Sequence, residues 1–295
     1  MLREGDGDVW VFVPFTRKWC VPRFFDALAA SDVPFDRCKV TFYIDSEDSS
    51  LAHAVAGRAV QIPFADIVIH FSCLAPPGEK AKSHIRRKRH AAMRCASVGL
   101  MPKDCEYVLL LEDDTPPPSD CWAKLTAGID AGYDWVSGFE VGRWGHTVPG
   151  IWRIDANHCS AATPGDGLEQ VDATGIFLTL TTPEVYASEK WDVWDNSYGH
   201  DVSITYRMTL AGYRLAVDWS LTCVHMTLDK DYTTDMAVAW TRNVNGHHPV
   251  LLESPNVVPL SDFQQEGPKV RRHAYINASG HRPNPRKERS ARRKS

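Results

Sequence analysis

The chain has 295 residues, is 43% hydrophobic and carries a formal net charge of -4. That length can bury a full core as one large α/β domain and excludes a small module held by disulfides. Its eight scattered cysteines show no CxxC pair or other zinc-like spacing, and no apolar run approaches the ~18 residues of a membrane span.

The opening segment MLREGDGDVW has no basic region followed by an apolar stretch, so a soluble, cytosolic protein with reduced thiols is expected. Charge is unevenly spread. From Gly267 onward there are ten Lys or Arg against one acid, Glu288, which leaves 23 basic and 36 acidic side chains, about -13, on the rest. Such a tail is either a solvated terminus or a polyanion-binding arm. We take residues 1–265 as one domain, divided at about 118, and 266–295 as a flexible basic tail.

DVWVFVP, residues 8–14, is a short apolar run suited to a buried first strand. Phe24, Phe25, Leu28 and Ala29 then recur at helical spacing, KVTFYID (39–45) reads as a second strand and IVIHF (67–71) as a third. Residues 80–100 form a basic, Ala-rich helix, and CEYVLLLEDD follows as a fourth strand. This alternation predicts a mostly parallel sheet covered by helices, with ligands beyond the carboxyl ends of the strands.

After Pro118 a helix is predicted near 119–131, a strand near 134–138 and irregular Gly- and Trp-rich chain through 169. GIFLTL (175–180) reads as a strand, 201–211 as a helix with Gly212 as its C-cap, RLAVDW as a short strand, and LTCV as another leading to His225.

The acidic run at 112–114 carries most of the chemistry. Val108 to Leu111 lead directly into Glu112, Asp113 and Asp114, and Pro116 to Pro118 forbid further strand. Three adjacent carboxylates repel one another in a partly buried cleft, so a divalent cation with oxygen ligands would relieve the strain and could bridge a donor's diphosphate. A solvated acidic turn is the plain alternative.

YVLLLEDDTPPP resembles the acidic strand end of the GT-A glycosyltransferases, in particular the family 2 type. In outline the likeness runs from Val9 to about His225, through VPFTR, a second strand ending in Asp45, a basic helix, and GHDVSITYRMTLAGYRLAVDWSLTCVHM. It implies a single Rossmann-like GT-A domain with a mostly parallel central sheet flanked by helices. It further implies transfer, inverting by family habit, of a sugar from a nucleotide-sugar, UDP-linked by default, to an acceptor hydroxyl with the aid of Mn or Mg.

By the same resemblance Asp114 and His225 would hold the metal, Glu112 or Asp113 would contact the nucleoside, and Asp45 would read the base, with Pro14 and Arg17 beside it. Glu112 stands where the family usually has aspartate. Arg86 or Arg89 would face the donor's base or diphosphate. Asp201 matches the acid that deprotonates the acceptor, although His200 replaces the family's usual glutamate and a helix cap is a competing role for Asp201.

Trp191, Trp194 and Tyr198 crowd the chain before Asp201 and could stack on a sugar, with core packing as the ordinary alternative. Gly175 would allow close backbone approach to a sugar. Compact transferases of this look also occur in bacteriophages, so a modified base in DNA or a virion protein is among the expected acceptors. The competing functions are a metal-dependent nucleotidyltransferase and a nucleic-acid-binding protein; no phosphate-cradling glycine loop supports the former, and the acidic body opposes the latter.

Overall fold

Apolar runs rich in β-branched and aromatic residues form the centre of a sheet because both of their faces can be covered. The computed structural model describes residues 8–46, 48–72, 83–140, 150–154, 158–191, 200–226 and 258–259. In chain order, β1 (Asp8–Phe15), α1 (Val21–Ala29), β2 (Cys38–Asp45), α2 (Ser49–Ala59), β3 (Asp66–Ser72), α3 (Ser83–Leu100) and β4 (Cys105–Leu111) make the first half. Then come α4 (Cys121–Asp130), β5 (Trp135–Glu140), β6 (Ile151–Ile154), β7 (His158–Ala161), β8 (Leu168–Val171), β9 (Ala173–Thr174) and β10 (Leu178–Thr181). The remainder is α5 (Pro183–Tyr186), α6 (His200–Leu210), β11 (Leu215–Cys223) and β12 (Val258–Pro259).

The eight-stranded sheet has the order β3-β2-β1-β4-β10-β5-β11-β8. Pairs β1–β2, β2–β3, β1–β4 and β5–β11 are parallel, whereas β10 runs against both β4 and β5, and β8 against β11. The expected mostly parallel α/β architecture is therefore present, with antiparallel β10 inserted beside the strand that leads into the acidic run. A smaller sheet, β12-β7-β6-β9, meets the main one where Thr174 of β9 bonds Trp135 and Ser137 of β5.

Pro14 is tolerated because the β1–β4 ladder ends at Phe12↔Leu110, so no bond to β4 is required of its missing N–H. Trp10, Phe12, Phe15, Phe24, Phe25 and Phe42 are fully or almost fully buried; Phe15 packs on Phe24 and Phe25 of α1 and Phe42 on Phe25, whereas Trp10 meets Phe12 and the Tyr186 ring of α5. Helix α4 is capped from a distance: both Asp32 carboxylate oxygens accept backbone N–H groups, those of Trp122 and Ala123, at 2.8 and 2.9 Å.

Several elements differ from the sequence expectation. RLAVDW and LTCV are one nine-residue strand, β11, with a register irregularity against β5 between Val217 and Thr222. GIFLTL enters the sheet only at Leu178. Helix α2 had no predicted counterpart; Asp48 caps it by accepting the Ser50 N–H at 2.8 Å. Part of the stretch expected to be irregular is the hairpin β6–β7.

Candidate active site

Strand ends create the site. Beyond Leu111, the backbone N–H of Glu112 donates to Phe177 O at 3.1 Å, and Glu112 and Thr115 close an isolated bridge. A tight turn thus replaces the strand just before Pro116, and Asp113 and Asp114 are 3% and 0% exposed. Carboxylates at such depth need partners.

Asp113 finds them at the end of β1. Its Oδ2 accepts the N–H of Thr16 at 2.8 Å and of Arg17 at 3.0 Å, and its Oδ1 accepts from Arg17 Nη1 at 2.6 Å. This carboxylate is the clasp between the chain after β1 and the chain after β4. Burial opposes the Arg17 charge, but the fields of Asp113, Cys20 and Glu112 outweigh it and hold the guanidinium pKa above its ordinary value.

The same Arg17 Nη1 lies 2.6 Å from Asp114 Oδ2. From the end of β11, His225 brings Nε2 to 3.3 Å from that oxygen, and the Met226 N–H donates to Asp114 O at 2.8 Å. A backbone bond therefore fixes the return of this late segment onto the acidic turn, which places the imidazole.

Glu140, the last residue of β5, completes the arrangement and was not singled out from sequence. Its Oε1 stands 3.4 Å from His225 Nδ1, and its Oε2 accepts the Thr115 hydroxyl at 2.8 Å. Burial raises its pKa, partly offset by His225 and Thr115, with Asp201 adding to the rise. The last influence also puts Asp201, in the first turn of α6, within electrostatic reach of this group.

Glu112 is the most exposed of the three acids, at 26% of its side chain, and stands 3.6 Å from Arg94 Nη2. Burial pushes its carboxyl up to about 7, with Glu140 and Asp113 adding to the rise and Arg94 and Arg17 opposing it. Arg94 is itself 1% exposed, donates to Ile176 O at 3.4 Å and lies over the Phe12 ring. Of the α3 arginines, Arg94 reaches the acidic turn. Arg89 instead pairs, buried, with Asp45 at the end of β2; the side chain of Arg86 lies outside the described residues.

Helix α6 is anchored by a threonine relay. Thr205 Oγ1 accepts the Thr174 N–H at 3.1 Å and can donate to Asp201 O at 2.8 Å, while Thr174 Oγ1 accepts the indole N–H of Trp135 at 2.9 Å. The first turn of α6 is thereby held to the core of the main sheet. His200 opens that turn and stacks on His90 of α3, with ring centroids 5.5 Å apart.

Two acceptor-side expectations meet a different arrangement. Trp191 is 3% exposed, donates its indole N–H to Tyr186 O at 3.1 Å and packs against the Tyr186 ring; its surface serves the core. At Gly175 the missing side chain makes room for Phe177, whose ring carbon would lie 2.6 Å from an added Cβ. The close approach there is internal. Trp194 and Tyr198 lie outside the described residues.

As a metal site, the protein offers a pair. Among the described residues no three His, Cys, Asp or Glu side chains form a cage for an ion. The donor set of Asp114 and His225 nonetheless fits a hard divalent cation: a carboxylate oxygen and an imidazole nitrogen face each other in a buried position that already accommodates the positive charge of Arg17. A shell completed by phosphate oxygens and water is consistent with two protein ligands.

Comparison with known proteins gives likeness of fold. No protein-family model matches the chain, and no curated protein matches it in sequence. It is similar to the crystal structure of GalNAc-T7 with UDP, GalNAc and Mn2+, at 11% identity and TM-score 0.51, covering 90% of this chain and 57% of that one. It is also similar to S. aureus TarS 1-349 in complex with UDP, at 14% identity and TM-score 0.48, over 71% of this chain and 57% of that one. A third similar structure is the Pyrobaculum calidifontis mannosyltransferase PcManGT with GDP-Man and Mn2+, at 16% identity and TM-score 0.44, over 71% and 56%. The chain spans little more than half the length of each. The fold is the mixed α/β sheet of GT-A glycosyltransferases.

Proposed function

We propose that the protein is a metal-dependent glycosyltransferase that moves a sugar from a nucleotide-sugar to an acceptor hydroxyl, with inversion at the anomeric carbon. The observation that carries this reading is the meeting of Asp114 and His225, 3.3 Å apart at the carboxyl ends of β4 and β11, where α/β sheets of this kind bind ligands. The structure of GalNAc-T7 with UDP, GalNAc and Mn2+ supports the reading at the level of fold.

Each residue has a task in this scheme. Asp114 and His225 hold Mn or Mg, and the cation supplies the charge that a departing diphosphate needs. Arg17, already tied to Asp113, places a second positive charge beside the same position. The buried Asp45–Arg89 pair at the end of β2 faces the base, with Pro14 adjacent in β1. Glu112, backed by Arg94, contacts the ribose. Asp201 accepts the proton of the acceptor hydroxyl, its position fixed by the hold of Thr205 on the first turn of α6.

A UDP-sugar is the default donor. A polyanionic acceptor such as a modified base in DNA is favoured over a neutral one by the ten basic residues after Gly267, which would hold phosphates without reading sequence; a virion protein is the other acceptor class. A nucleotidyl transfer at the same cation is the second reading, favoured by the carboxylates alone.

The deciding experiment incubates the full chain with Mn2+ and a panel of nucleotide-sugars and follows release of nucleoside diphosphate. One donor should be consumed, and chelation should stop it. Release of pyrophosphate from nucleoside triphosphates, with nucleotide-sugars untouched, would replace this reading with the second. Among the described residues no helix is long and apolar enough to cross a membrane.

A further inference from the structure

Among the described residues the carboxylate of Glu140 meets Thr115 and His225, and both contacts point the same way. One oxygen accepts the Thr115 hydroxyl at 2.8 Å, which fixes the carboxylate against the turn that carries Asp114. The other stands 3.4 Å from His225 Nδ1, while the Nε2 of the same ring faces Asp114. Glu140 is 9% exposed and His225 8%, so water competes little for either contact. Residue pairing across the sheet reinforces this placement, because Cys223 of β11 is in register with Glu140 of β5.

We infer that Glu140 is the positioning residue of the cation site, holding the Nδ1 proton of His225 so that the Nε2 lone pair is directed at the cation beside Asp114. The inference rests on the metal reading proposed above. An imidazole can ligate through one nitrogen only when that nitrogen is unprotonated, and the bond made by the other nitrogen decides which one is available. A carboxylate behind the ring also raises its basicity and fixes its rotation, and loss of such a partner typically weakens metal affinity about 10–100-fold. Thr115 extends the same support, since its hydroxyl leaves only one Glu140 oxygen to serve the ring.

The geometry distinguishes Glu140 from a third ligand. Its nearer oxygen lies on the Nδ1 side of the imidazole and Asp114 on the Nε2 side, so the ring separates the two carboxylates. Asp114 touches the ion, and Glu140 acts through His225.

The test titrates the full-length protein with MnCl2 alone, by electron paramagnetic resonance of the free ion, and uses a double-mutant cycle. Glu140→Leu should weaken Mn2+ binding about tenfold or more, while Glu140→Gln, whose amide oxygen can still accept from Nδ1, should stay within about threefold of wild type. His225→Gln should weaken binding, and adding Glu140→Leu to it should cost little more, because the partner through which Glu140 acts is gone. In the Mg2+-loaded protein, the Nδ1-bound proton of His225 should be visible by 1H–15N correlation in wild type and lost in Glu140→Leu. Glu140→Asp, with the carboxylate withdrawn by one methylene, replaces the leucine variant if that does not fold.

Additive losses in the cycle, or a leucine variant that binds Mn2+ as wild type does, would overturn the inference while leaving the metal site standing. Mn2+ binding that is insensitive to both Asp114→Ala and His225→Gln would instead remove the metal site itself.

Discussion

Arg17 Nη1 sits 2.6 Å from an oxygen of Asp113 and 2.6 Å from an oxygen of Asp114, so one guanidinium neutralises two adjacent carboxylates. It occupies the side of Asp114 that also faces His225 Nε2. A divalent cation arriving there must share Asp114 with this arginine or displace it. Arg17 therefore serves as the counter-charge of both carboxylates, and under the proposed function a bound cation would leave this charge available to a donor diphosphate.

Replacement of Arg17 by alanine should lower the stability of the chelated protein and enlarge the stabilisation given by Mn2+. Breaking a fully buried ion pair costs about 3–5 kcal/mol; with the Arg17 side chain 23% exposed, a loss of about 2 kcal/mol is expected after allowance for solvent screening. Thermal unfolding with EDTA and then with excess Mn2+ reads both effects. An unchanged Mn2+ shift in Arg17→Ala would mean that arginine and cation do not compete for Asp114.

Stability of the chelated protein should fall as pH rises through the range set by Glu112. Burial raises this carboxyl from 4.5 to about 7, so between those values the folded chain holds a proton that the unfolded chain has released. Stability then declines with increasing pH. Glu140, raised for the same reason, acts with the same sign. Glu112→Gln should flatten the decline between about pH 4.5 and 7, measured as melting temperature against pH in EDTA, and the prediction fails if the wild-type and variant slopes agree.

The first half of the main sheet was legible in the sequence because its signals are local. Strands β1, β2 and β4 are apolar runs with abrupt polar or proline ends, and the three acids after Leu111 stand where no strand can continue. The His225 contact could be expected only through family resemblance, since a return from β11 to the end of β4 depends on topology. Glu140 was illegible: WVSGFE ends like any strand that reaches solvent, and nothing local says that its glutamate is buried against Thr115 and His225. Trp191 misled for the converse reason. Its polar neighbours in sequence point to an exposed loop, but the Tyr186 carbonyl and ring supply partners that only the folded chain brings near. Among four arginines on α3, helical spacing could not identify Arg94 as the one beneath Glu112.

The basic tail makes a separable prediction. If its ten Lys and Arg hold a polyanionic acceptor, transfer to DNA should weaken steeply with salt in the full chain, and the slope should flatten in a protein ending at Gly267. Donor turnover in the absence of acceptor should be equal in the two forms. Identical salt dependence would exclude the tail from acceptor binding and favour a protein or small-molecule acceptor.

Asp114 and Asp201 should fail differently when replaced. If Asp114 holds the cation as proposed, Asp114→Ala should abolish metal-dependent binding of the donor along with transfer. Asp201→Asn keeps the size of the side chain and the hold of Thr205 on the Asp201 carbonyl, and it removes only the carboxylate proposed to accept a proton. Donor affinity, measured calorimetrically with Mn2+, should stay near wild type while transfer falls by about 10²–10⁴-fold, the usual contribution of a positioned general base. Full activity in Asp201→Asn would leave this carboxylate a helix-start role alone and turn attention to Glu140, the buried acid whose field it shares.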